Sequence, residues 1–181
     1  MLGRPPKVDD AGVATRERLL SAAADACVEH GFDGATVADI ARRADVSAPA
    51  IYNHFGGKVE LLVAAGHAAL GDLGQTGRRP SARQVVRAFL SDDFATTRRL
   101  LAELHLAGQR HPDVAALLAT WHTTQAGNWG DDGDATVKAF FLLLLGLCHL
   151  EALSSLPGSP ADVGAVAERL VAVLFPEEDR P

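Results

Sequence analysis

Residues 36–61 read TVADIARRADVSAPAIYNHFGGKVEL, and this stretch decides the fold. Thr36 is a helix-capping residue, and Asp39 stands three positions later, where a capping box places its acid. The apolar positions Val37, Ile40 and Ala41 follow at helical spacing and predict a short helix ending near Ala44. Asp45-Val46 forms a tight turn. Ser47 then caps a third helix, where Pro49 is tolerated because it falls in the first turn. Ile51 and Phe55, four apart, face inward with Val46. Ala48, Tyr52 and Asn53 are left toward the outside. Gly56-Gly57 ends this helix, and a fourth begins near Lys58.

A short helix with little apolar surface of its own, joined tightly to the preceding one, suits a helix-turn-helix. A major groove about 12 Å wide accepts one helix, and small residues at its tip allow close approach to base edges. Ser47, Ala48 and Pro49 line that tip. The Tyr52 hydroxyl suits a phosphate, and its ring suits a thymine methyl. Thr36 and Lys58 each sit at a helix start, where unpaired N–H groups attract phosphate. Arg42 and Arg43 end the second helix. They either reach the DNA backbone or form a solvated face that complements the helix C-terminus.

Upstream, residues 14–30 form a first helix, with Leu20, Ala24, Cys27 and Val28 at helical spacing and Gly31 as the C-terminal cap. Residues 14–62 as a whole resemble the N-terminal domain of the TetR family of transcriptional regulators. The resemblance rests on EHGFDGATV, ADIARRADVS and AIYNHFGGKVELL. It implies that the third helix reads the major groove, with Tyr52 and Asn53 or His54 at backbone or bases. It also implies that Thr36 and Lys58 hold phosphates.

The expected fold is all-α. A flexible arm over residues 1–12 precedes a three-helix helix-turn-helix domain over residues 13–66, and a helical effector-binding and dimerisation domain occupies residues 67–181. The Gly-rich GDLGQTGRRP, residues 71–80, breaks the pattern near the junction. Ser81 with Gln84 opens the next helix by capping-box logic. Further helices are expected over residues 94–110, from Pro112 to about residue 129, over 135–156 after the acidic GDDGD, and over 160–175.

Composition agrees with this picture. A hydrophobic share of 48% is ample for a core, and the abundance of Ala and Leu favours helix. The two cysteines, Cys27 and Cys148, lie in apolar helical patterns and give no disulfide framework, which points to a cytoplasmic protein. The chain has no signal-peptide pattern, and its most apolar run, AFFLLLLGLCHL, is too short for a bilayer span of about 20 residues. The net charge is −6, and even the first 67 residues carry more carboxylates than bases, so non-specific DNA affinity should be weak. Preference for Ala, Gly, Arg and Asp over Lys and Asn hints at a G·C-rich bacterial genome.

In the arm, Arg4 lies in a Gly-Arg-Pro core that suits a narrow A·T minor groove and equally suits a disordered polar leader. His105, Trp121, His122 and His149 are the polar and aromatic candidates for an effector pocket that is otherwise apolar. No histidine or cysteine spacing matches a metal pair, and no cofactor is expected. The helices over 135–156 and 160–175 are apolar on more than one face, which calls for a partner; a homodimer through these last two helices is the expectation. The resulting reading is a regulator that binds a palindromic double-stranded DNA operator as a homodimer, acts as a repressor, and is released by a small apolar effector. Two other classes compete: a helical sensor or scaffold without DNA binding, and a helical enzyme, for which no nucleophile elbow or phosphate-binding loop is present.

Overall fold

A computed structural model describes residues 10–71, 80–129, 135–150 and 160–176. Among these residues every regular element is helical. In chain order they are α1 (Asp10–Gly34), α2 (Val37–Arg43), α3 (Ala48–Ile51), α4 (Lys58–Gly71) and α5 (Ala82–Leu90). A 3-10 turn (Asp92–Phe94) follows, then α6 (Ala95–Gly108), α7 (Pro112–Trp129), α8 (Ala135–Leu147) and α9 (Pro160–Leu174). None is long and apolar enough to cross a membrane. Arg4 and the rest of residues 1–9, the GDDGD segment, and residues 151–156 of the expected long helix lie outside the described residues.

α1 is longer than its sequence pattern predicted, but its regular part stops where expected. Gly31 leaves the helical region with φ 71° and ψ 171°, a conformation L side chains rarely adopt. One further turn carries Phe32 into the core, where it is 2% exposed. α8 is shorter than expected. The helix gives way at Cys148-His149, where His149 N donates to Gly146 O across three residues instead of four. The glycine in its last turn has low helix propensity and no side chain to pack. The capping box at α5 forms as the sequence indicates: Gln84 N donates to Ser81 Oγ, and Ser81 N donates back to the Gln84 side chain.

Two cores organise the packing. The first joins α1 to α4, with Leu19, Ile40, Ile51, Leu61 and Leu62 fully buried, and runs on into α6 and α7 through Leu100, Leu104, Val114 and Leu118. The second joins α5, α8 and α9 around Val86, Phe140 and Val171. Trp121 of α7 packs against both. The expected domain boundary after residue 66 therefore falls inside a continuous α4, at Gly66, where an added methyl would lie 2.6 Å from Leu104 Cδ1. That glycine lets α4 and α6 cross closely.

Among the described residues one charged side chain, Arg98, is buried. Arg98 of α6, 3% exposed, donates to Phe89 O at 2.6 Å and Ser91 O at 2.7 Å. It thereby adds a donor to carbonyls where α5 ends, Ser91 O also accepting from Phe94 N at 3.2 Å.

Candidate nucleic-acid interface

The Thr36 side chain accepts from Asp39 N at 3.1 Å, so α2 is capped as its sequence predicts. Asp39 does not reach back to close a capping box. Its carboxylate pairs instead with Arg42 and with Arg43, at 2.7 Å for the latter. Arg43 also reaches Glu29 of α1 at 2.7 Å, with His30 alongside at 3.2 Å. The hydrogen bond from Arg42 and then that from Arg43 hold the Asp39 carboxyl below its usual range; Arg43 does the same for Glu29. The two arginines thus differ. Arg43 ties α2 to α1, whereas most of the Arg42 side chain stays in solvent.

The turn after α2 is a Schellman motif. Val46 N donates to Ala41 O at 3.0 Å, and Asp45 N to Arg42 O at 3.3 Å, with Asp45 in the left-handed region at φ 54°. Asp tolerates that region better than most residues. Val46 then packs against the first core and fixes the direction in which the chain leaves.

α3 is a single turn of regular helix, shorter than the two turns expected, extended by tighter bonds from Asn53 N to Ala50 O and from His54 N to Ile51 O. Ser47 has N-cap geometry, yet its side chain accepts no capping bond, a correction to the sequence reading. Pro49 occupies the second helical position and has no N–H to offer. The division of faces holds at most positions. Ile51 is fully buried and Phe55 is 3% exposed, while Tyr52 is 60% exposed with Asn53 and Pro49 exposed beside it. Ala48 and His54 are half-buried, Ala48 against the core. Arg16 of α1, not singled out from sequence, lies with its guanidinium 5.2 Å from the Phe55 ring centre and adds a cation to this face.

The start of α4 is already occupied by protein groups. The Glu60 carboxylate accepts from Gly56 N at 2.7 Å. Lys58 Nζ donates to Phe32 O at 2.8 Å and Asp33 O at 3.1 Å, above the Phe32 ring. The lysine therefore reaches back to the turn between α1 and α2. The same turn is held from the other side by α6 and the residues after it. Phe32 N donates to Glu103 at 3.2 Å, Arg110 pairs with Asp33 at 3.0 Å, and His111 meets Asp33 at 2.7 Å. The His111 and Arg110 bonds lower the Asp33 carboxyl. Neither Glu103 nor His111 belongs to a sequence motif; only long-range contact reveals them.

Among the effector candidates, His105, Trp121 and His122 come together. His149 stands exposed at the turn after α8, near enough for its charge to disfavour protonation of His105. His105 Nδ1 lies 2.6 Å from Leu101 O, and its Nε2 lies 3.1 Å from His122 Nε2. A carbonyl only accepts, so the His105 proton resides on Nδ1, and the His122 Nε2–H donates to the bare His105 Nε2. His67 of α4, missed in the sequence because α4 reads as a plain apolar helix, stacks on Trp121 at 5.0 Å. Phe141 of α8 meets His122 at 5.6 Å. Burial first, then the neighbouring His105 and His67, pushes His122 down to about 4; burial also lowers His67 and His105.

A capped helix, a Schellman turn and a one-turn helix that buries Ile51 while exposing Tyr52 define a helix-turn-helix module. Residues 19–65 match the model of the bacterial regulatory proteins of the TetR family, and the chain carries an N-terminal domain of that family. The Pseudomonas putida transcriptional regulator SrpR is 46% identical over 50 residues, 28% of this chain and 24% of that one. BetI 1 of Chromohalobacter salexigens is 38% identical over 85 residues, 44% of this chain and 42% of its own. The matched stretch thus spans under half of these relatives' lengths. They are named as HTH-type transcriptional regulators, not enzymes. Beyond that stretch the likeness is one of fold. Salmonella enterica GusR superposes with a TM-score of 0.61 at 20% identity, over 96% of this chain and 98% of that one.

Proposed function

We propose that the protein is a ligand-responsive transcriptional regulator that binds a palindromic operator as a homodimer in the cytoplasm, represses from it, and leaves it when a small, largely apolar effector binds the C-terminal helices. The observation that carries this reading is the exposed Tyr52-Asn53 face on a turn of helix whose opposite face, Ile51 and Phe55, is buried in a domain of TetR type. Tyr52, Asn53 and His54 with the Ser47-Ala48-Pro49 tip would meet bases and nearby phosphates. Thr36, Arg42 and the third N–H of Lys58 would hold phosphates, and Arg43 would keep α2 in place on α1. Arg4 would extend the contact into a minor groove.

Support for the dimer comes from an apolar face that the single chain leaves open. Val166, Leu170 and Val173 recur at helical spacing on α9 and are exposed, Val173 to 78%, and Leu142 on α8 is 69% exposed. A partner copy would cover such a face through the same two helices. Two recognition helices would then enter successive major grooves, about 34–36 Å apart.

The test is selection of bound sequences from a random duplex pool by the purified protein at moderate salt. The expected product is a palindrome with half-sites about one helical turn apart. Recovery of nothing above background would favour a sensor without DNA binding.

A further inference from the structure

Seven histidines occur in the chain, and six of them fall into two electrostatic kinds. His30 lies within ion-pair distance of Glu29 and Asp39, and His111 within that of Asp33. His67, His105, His122 and His149 come from four different places: α4, α6, α7 and the turn after α8. The first three are linked through the Trp121 ring and the His105–His122 hydrogen bond, while His149 stands exposed after α8. Among the described residues no carboxylate pairs with any of these four. A cluster of imidazoles facing one another, walled by Trp121 and Phe141 and lacking a negative group, lacks the one partner that would favour its charged form.

The geometry also bears on what the cluster holds. The His105 and His122 ring planes lie 15° from parallel, with centres 5.1 Å apart and nitrogens 3.1 Å apart. The rings therefore meet nearly head to head along an N–H···N bond. A metal ion would need both nitrogens about 2.0–2.1 Å away and splayed around it. Among the described residues no group of three histidine, cysteine or acidic side chains is arranged to hold one.

We propose that the His67–His105–His122 cluster is the polar end of the effector site and that its ligand is a small apolar carboxylate, a flat hydrophobic body bearing one acid group. The ring of such a ligand lies against Trp121 and Phe141, and its carboxylate accepts from the imidazoles. Bringing the anion in favours the imidazolium form, so binding takes up a proton. A neutral amide can still accept a hydrogen bond there, but it gains no charge-assisted one and draws in no proton. This inference rests on the effector-responsive reading above. α4 supplies the route to DNA, because the helix that carries His67 begins at Lys58, which holds the turn between α1 and α2.

The experiment is titration calorimetry of the full chain with 2-naphthoate and with 2-naphthamide at pH 6, 7 and 8, in two buffers of different ionisation heat. The acid should bind at least tenfold tighter than the amide. Its affinity should fall as pH rises, by up to about tenfold per unit if one proton is taken up. The observed heats should differ between buffers by the proton uptake. His122→Gln and His105→Gln should erase the preference for acid over amide; if either fails to fold by circular dichroism, the exposed His67→Gln should weaken the acid severalfold and leave the amide unchanged. Equal affinities for acid and amide, absence of proton uptake, no binding of the acid, or full preference in a folded variant would each overturn the proposal. Operator binding measured alongside separates the two readings. An acid that binds with proton uptake but leaves the operator complex intact would sink the effector reading alone. Release by the amide as well as the acid, with equal affinity, would sink only the anion proposal.

Discussion

The helix-turn-helix end and the histidine cluster use polar groups in opposite ways. At the first, charges are paired with one another: Asp39 with Arg42 and Arg43, Glu29 with Arg43, and Asp33 with Arg110 and His111. All of these sit near solvent, where each pair contributes little to stability but fixes a side chain's direction. At the second, half-buried imidazoles hydrogen-bond to one another, and among the described residues no carboxylate pairs with them. The first arrangement holds a shape that is already formed. The second leaves a position that a ligand of the right charge completes. The 31–34 turn, clamped by Lys58 of α4, Glu103 of α6 and His111, is where the two regions meet.

The hardest blow to the contrast is removal of the buried side of α3. Ile51→Ala should destabilise the protein by about 2–4 kcal/mol in a urea titration, since a buried isoleucine loses transfer energy and leaves a cavity. A loss below about 0.5 kcal/mol would mean that α3 does not depend on its inner face. Tyr52→Ala probes the outer face alone. It should abolish specific operator binding, by a hundredfold or more in fluorescence anisotropy, with thermal stability and dimer mass unchanged; retained affinity would break the assigned helix orientation.

Lys58→Ala sharpens the meeting point. It should lower stability by about 1 kcal/mol through the lost carbonyl bonds and reduce the salt slope of DNA binding by about one unit. An unchanged slope with lowered stability would assign the lysine wholly to the turn. Acid should then separate the two regions. His122, His67 and His105 have lowered values in the fold, so the unfolded chain binds their protons first. Their contribution is present above pH 6.5 and is lost as pH falls from there toward about 4. Asp33, Asp39 and Glu29, also lowered, contribute above the ordinary carboxylate range and lose it only below that range. The wild-type melting temperature should decline from pH 6.5 downward, and His122→Gln should flatten the first part of that decline; a variant with the parental profile would remove the histidines from the account. The smallest effect belongs to the arm. Deleting residues 1–7 should cost a few-fold in affinity, mainly at A·T-flanked operators, and equal losses at G·C-flanked sites would refute minor-groove reading.

Much of this was legible in the sequence where the causes are local. The Thr36 cap on Asp39 N, the Ser81–Gln84 box, Gly31 after a helical run, and Pro112 at a helix start each act within a few residues and formed as read, whereas the Asp39 carboxylate went to Arg42 and Arg43 instead of closing a box. The alternation of Ile51 and Phe55 against Tyr52 and Asn53 likewise needs only helical spacing. What could not be read depends on which helices become neighbours. Ser47 looked like a capping side chain, but Pro49 takes away a donor it would have used. Arg42 and Arg43 looked equivalent until Glu29 was brought beside one of them. Lys58 looked like an open cation until the turn at Phe32 folded under it. The histidine cluster shows the limit most clearly, since His67, His105, Trp121 and His122 are spread over more than fifty residues and only the crossing of α4, α6 and α7 brings them together. The sequence by itself determined the helices, their caps and the face of α3 that stays in water, because short-range sterics and periodicity act along the chain. The tertiary structure alone decided which charges are paired and which imidazoles face one another, because long-range burial and electrostatics act through space.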